Sequence, residues 1–195
     1  MKKIISGFTS KTTEHLLLDS GAFFKNFDVD KDTFESAVTA GKLIGATRNG
    51  GKFDAIPEIR QIEVDGVKGP AKGLEMLDAW NVTIGANVLE ITKDTLAMAL
   101  ASTEVDSTTN EKYDIIKANN VIELDDYIDN ITWVGTLSGS EEPVIIQVLN
   151  ALNMGGLSLQ TQMKNEAVTA LNFTGHYTAD DLNTPPFVIY YPKLT

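Results

Sequence analysis

Cysteine is missing from all 195 residues, so disulfides, thiolate-held metals and cysteine nucleophiles are excluded, and folding in a reducing compartment is permitted. Histidine is scarce: His15 and His176 lie in segments without a partner pattern, and no G-x-S-x-G or H-E-x-x-H signature occurs, so no catalytic constellation is legible and the chain reads as a non-enzyme. Basic residues are outnumbered, 16 Lys and Arg against 27 Asp and Glu, and the net charge of -11 argues against attraction to a nucleic acid, which clustered cations would supply. Such a surface repels a polyanion that comes close. Long apolar runs are lacking too. Nothing reaches transmembrane length, and MKKIISGFTSK has two lysines but only an Ile-Ile pair behind them, so it does not read as a signal peptide.

What is present is strand patterning, clearest over residues 53 to 92. Trp80, Val82, Ile84, Ala86 and Val88 alternate with Asn81, Thr83, Gly85 and Asn87, the period of two that gives a half-buried strand. Upstream, Ile59, Ile62 and Val64 cannot share one face, which predicts a bulge or twist near Arg60. Between these arms lie Asp65, Gly66, Val67, Lys68, Gly69, Pro70, Ala71, Lys72 and Gly73, too rich in glycine and proline for regular structure; the arms pair and residues 65–73 form a mobile connection.

In chain order, residues 16 to 27 read as a strand kinked at Gly21. Asp30 or Asp32 caps a short helix with Phe34, Ala37 and Val38 on one side and Gly41 at its end, and Arg48-Asn49-Gly50-Gly51 predicts a turn. The glycines there lack the Lys-Ser/Thr ending of a phosphate loop. Thr92 caps the best helix, with Leu96 and Leu100 one turn apart and packed in the core. Residues 103–130 are acidic and turn-rich and predict a long decorated loop; their acids lack calcium-loop spacing and read as a solvated face. After that come a strand bearing Trp133 in the core, an evenly apolar buried strand with Asn-Ala-Leu helical at its end, and a long hairpin over residues 157–177. Residues 1–15 and 178–195 are arms, the second framed by Pro185, Pro186 and Pro192 as an extended edge segment. The fold class is mainly β, one domain over residues 1–195, and a compact chain of 21.2 kDa would expose roughly 9,000 Å².

The stretches IRQIEVDGVKGPAKGLEMLDAWNVTIGANVLEITKDTLAMALA and LNALNMGGLSLQTQMKNEAVTALNFTGHYTADDLNTPPFVIYYPK resemble the major tail (tail tube) proteins of long-tailed, siphovirus-type phages and prophages of Gram-positive bacteria. The resemblance covers roughly residues 16 to 193. It implies a β-sandwich or barrel-like subunit with one packed helix, whose long hairpins join a shared inner barrel. Six copies close a ring, and rings stack into a hollow tube that passes DNA without binding it specifically. Implied with it are assembly in the host cytoplasm, a place in the virion tail, a tape measure protein and tail-terminating or distal tail proteins as partners, and no cofactor or metal. The 65–73 loop then reaches the neighbouring ring, and Glu58, Glu75, Asp78 and Glu166 are the acids set to face the lumen. The acidic 103–130 region departs from the leanest members. Rival readings are another virion part, such as a capsid decoration or tail-completion protein, and a soluble β-sandwich module binding, for instance, carbohydrate.

Overall fold

The computed structural model describes residues 6–194; residues 1 to 5 of the expected N-terminal arm and residue 195 of the C-terminal one lie outside the described part. The elements in order are β1 (Leu17–Lys25), α1 (Phe34–Thr39), β2 (Thr47–Gln61), β3 (Glu75–Val88), α2 (Lys93–Ala99), β4 (Thr103–Asp106), β5 (Ile115–Ala118), β6 (Ile128–Leu137), β7 (Val144–Asn153), β8 (Leu159–Gln162), β9 (Asn165–Thr174) and β10 (Phe187–Tyr190). The fold is mainly β, a sandwich-like arrangement of antiparallel strands. One layer runs β1-β6-β7-β10, the other β2-β3-β9-β8, and β7 links them because Leu152 and Asn153 leave the first layer to pair with β9.

The alternation of β3 does what its pattern dictates: Val82, Ile84, Ala86 and Val88 are buried, and they meet Leu171 and Phe173 of β9 and Phe23, Ile131 and Val148 of the opposing layer. Trp80 shares their phase and packs against this core, as does Trp133, yet both are only half-buried. The reason is position. Trp80 sits where β3 leaves the sandwich, and Trp133 lies at an open side of it. The Thr92 cap is as expected, the hydroxyl accepting from the Thr95 amide at 3.1 Å, but α2 turns Thr95 and Ala99 inward and leaves Leu96 and Leu100 half-buried. Leu96 and Leu100 are one turn apart on the same side, and the tight cap fixes which side faces in.

Several boundaries move. Two helices pack rather than one, because α1 buries Ala37 with Phe24 and Phe27 on the outer face of the first layer. Its cap is Thr33, whose hydroxyl accepts from the Ser36 amide; Asp32 is already engaged by the Asp28 amide and Lys42. Gly41 ends it in the left-handed region at φ 70°, with the Lys42 amide on the Ala37 carbonyl. Residues 48–51 do not turn the chain: Asn49 and Gly50 take positive φ inside β2 as a bulge between Thr47 and Gly51. The 103–130 region is not one loop, since Val105 and the Ile115-Ile116 pair give it a small β4–β5 hairpin. Asn150-Ala151-Leu152 belongs to the strand and not to a helix: Ala151 pairs with Ile128 of β6 and Leu152 with Thr174 of β9, while Asn150 takes φ 48° as an irregularity within β7. The C-terminal segment is the extended edge element its prolines suggest, with Phe187–Tyr190 paired to β7.

The Asp28 amide, and next Lys42, hold the Asp32 carboxyl below the usual carboxylate range. A lowered folded value means that this contribution is complete above the unfolded pKa of about 4 and is lost as pH falls through the folded value. Urea midpoints should therefore stay level down to about pH 4 and drop below it, and Asp32→Asn should flatten that acid limb. An unchanged acid limb in Asp32→Asn would assign the loss to other carboxylates.

Candidate self-assembly surface

β2 and β3 pair over almost their whole length, from Thr47 opposite Val88 to Gln61 opposite Glu75. The expected irregularity near Arg60 is present: Glu58 faces Ala79 and Ile59 faces Leu77, so Asp78 is the extra residue. Only Thr83 to Val88 of β3 also pair with β9. The hairpin beyond Asn81 therefore leaves the sandwich as a two-stranded arm. Its root is fixed by the Trp80 amide donating to the Tyr177 hydroxyl at 2.9 Å and by the Trp80 ring, 5.4 Å from that of Phe187. Further out, Ile56, Ile59, Met76 and Leu77 are exposed, Ile59 by 61 %. The whole chain exposes 13752 Å², about half as much again as its mass predicts for a compact monomer. A two-stranded ribbon with apolar residues on both faces is marginal in water and calls for a partner.

The second layer has two open edges, the outer sides of β2 and β8, which pair with no further strand among the described residues. Pro57, which has no N–H, is tolerated in β2 because that strand is an edge, and its position in the sequence is the signal that could have identified the edge. β8 is shorter than expected, and Lys164 at φ 64° makes the tight turn into β9.

The proposed lumen acids separate by phase and partner. Glu58 and Asp78 lie on the face of the arm that continues the outward side of the second layer. There Asp78 is bound by Arg60 at 2.9 Å, Lys52 meets Asp54 at 2.8 Å, and Glu58 accepts from the Asn81 amide group at 2.7 Å. Glu75 alternates to the opposite face, where its carboxylate accepts from the Gly73 amide. Glu166 is paired with Arg48, whose guanidinium holds the carboxyl below its usual range. Along β3 and β9 the outward strip carries the uncharged Asn81, Thr83, Gly85, Asn87, Ala170, Asn172 and Thr174, while on the arm Ile56, opposite Asn81, and Met76, opposite Arg60, add exposed apolar side chains to the same face. The pairing of Asp78 with Arg60 and of Glu166 with Arg48 is not legible in the sequence, because the partners lie 18 and 118 residues apart along the chain.

The connecting segment holds few contacts of its own. Ile62 N–H donates to the Leu74 carbonyl at 2.7 Å, Val67 N–H to that of Val64, and Gly66 and Gly73 take φ of 85° and 95°. A Cβ at Gly66, Gly69 or Gly73 would meet nothing within 4 Å, and Asp65, Val67, Lys68, Pro70 and Lys72 are exposed, with Ala71 half-buried.

Both histidines have structural roles: His15 Nδ1 lies 3.3 Å from the Tyr191 hydroxyl, and His176 Nδ1 lies 3.0 Å from the Asn150 carbonyl. Among the described residues no group of three or more His, Asp or Glu could hold a metal, and no helix is long and apolar enough to cross a membrane. No family model matches the chain, and no curated protein matches it.

Proposed function

We propose that the chain is a tail tube subunit of a long-tailed phage or prophage, a structural virion protein whose hexameric rings stack into a tube for the genome. The β2–β3 arm carries this reading, since it exposes apolar side chains on both faces in a chain with far more surface than its mass requires. The open edges support it further. Strands β2, β3, β9 and β8 alternate in direction, so setting β8 of one copy beside β2 of the next keeps every neighbour antiparallel. Repeating that head-to-tail contact closes a barrel without edges, and the outward strip, mostly polar over β3 and β9 and with Asp78 and Asp54 paired to Arg60 and Lys52, then faces the bore. The number six and the tape measure and tail-end partners come from the resemblance.

Light scattering and negative-stain electron microscopy of the purified protein test the reading. Rings or tubes are expected; a monomer at every concentration overturns it. Isolated trimers would favour a capsid decoration role, and a monomer that responds to glycans would favour a binding module.

The bore makes a separate expectation. Glu58 has no cationic partner among the described residues, whereas Glu75 lies on the opposite face. In assembled phage, Glu58→Lys should slow genome ejection and Glu75→Lys should not, and the delay should shrink as salt rises, because a new phosphate contact is salt-sensitive. Equal ejection from intact tubes of both variants would take Glu58 out of the lining.

A further inference from the structure

At the side of the sandwich where β1 and β2 are both edges, a cleft of about 480 Å³ is lined by Leu17, Phe23, Phe53, Ile84, Trp133 and Ile146. Its floor is built. The indole of Trp133 lies over Gly21 and Gly135, where a Cβ would overlap the ring, and its Nε1 donates to the Ser20 carbonyl at 2.9 Å. Facing bulges frame the mouth, with Asp19 at φ 64° in β1 and Asn49 at φ 62° in β2, and Gly50 lies against Ser20. Non-glycine residues held at positive φ beside a cavity are strained features that the surrounding structure has to maintain.

The cleft exists because β2 runs across the strands of the other layer and ends the second layer too early. Gly50 is at β1, while the Phe53 ring is 5.8 Å from that of Phe187 on β10. The inner face of the first layer continues beyond the outer edge of β2, uncovered, with Leu17 56 % exposed. What is missing is one strand on β2, about 4.8 Å away in the hydrogen-bonding direction. The opposite edge of the same layer carries the matching surplus. Leu159 of β8 pairs with the buried Thr169, so it is on the core-side face, yet it is 46 % exposed, and Leu157 before it is exposed too.

We infer that the cleft is the receptor for a second copy, whose Leu159, with Leu157 behind it, fills the space over Trp133 and Phe53 when its β8 pairs with β2. The inference rests on the ring reading and specifies the contact that joins neighbours in it. The contact is heterologous: one copy supplies the cleft, the next supplies the leucine.

The absence of cysteine from the chain makes the test free of background. Leu17→Cys, Leu159→Cys and the double variant are treated with a short bismaleimide and run on denaturing gels, with ring formation followed separately by electron microscopy. The double variant should give a ladder of covalent oligomers that ends at the ring size, and neither single variant should cross-link. Rings without a ladder would overturn the leucine contact and leave the ring reading standing. No rings and no ladder from the wild-type-like double variant would overturn both. Cross-linking of a single variant would indicate a twofold contact and also overturn the proposal. As a second readout, assembly in a Trp80→Phe background should blue-shift the emission of Trp133, and Leu159→Asp should abolish the shift while leaving the melting of the monomer unchanged; a shift that survives Leu159→Asp counts against the contact.

Discussion

Replacing residues 66–73 by a two-residue turn should leave folding intact and abolish long tubes. The segment contributes almost nothing to the sandwich: a Cβ at any of its glycines would meet open space, residues 62–70 are exposed, and its hydrogen bonds only close the loop on itself and on the adjoining ends of β2 and β3. Shortening a free loop relieves some closure entropy, about 0.6 kcal/mol for each halving of its length, so the melting temperature should move by only about 2–4 °C, upward if at all. Assembly is different. The exposed Val64 and Val67 and the left-handed Gly66 and Gly73 let the tip present apolar side chains and take the backbone a neighbouring ring requires. Circular dichroism, calorimetry and electron microscopy of the same preparation read both halves. Long tubes at wild-type yield would remove the loop from ring stacking, and a large drop in melting temperature would mean that it packs on its own subunit.

The parts of this fold that were legible are those in which one local rule decides. The period of two from Trp80 to Val88 gave the core face of β3, Thr92 gave the start of α2, and the phase clash around Arg60 gave the bulge. The misread parts depend on partners distant in sequence. Asn49-Gly50 looks like a turn because positive φ is cheap there, and only pairing of Thr47 with Val88 and Gly51 with Ala86 makes it a bulge. Gly21 was visible as a kink, but its role, and that of Gly135, is to make room for Trp133, which no local window contains. The acids were visible as letters, while Arg60 and Arg48, which neutralise two of them, come from register. The same holds for the exposed arm: alternation in β2 says which residues share a face, and only the tertiary layout says that the outer half of that face has no neighbour among the described residues.

Phe173→Ala should cost the isolated chain about 3–5 kcal/mol, whereas Ile59→Ser and Leu77→Ser should each fall within about 0.5 kcal/mol of wild type and yet prevent assembly. Phe173 is 1 % exposed and sits in β9 opposite Ile84, in the main core, so its loss leaves a cavity that the packed strands cannot close. Against a total of about 5–15 kcal/mol for a domain, that is enough to shift the urea midpoint severely. Ile59 and Leu77 face each other across the arm but are 61 % and 54 % exposed, so a serine there removes little that the monomer had buried. In the proposed ring the same side chains would become interior, and a serine in each copy would be repeated at every contact. Urea unfolding of the monomer and sedimentation of the assembled protein separate these effects. Should Ile59→Ser or Leu77→Ser destabilise the monomer as much as Phe173→Ala, the arm would be folded back on its own sandwich in solution, and its apolar faces would already have their partner.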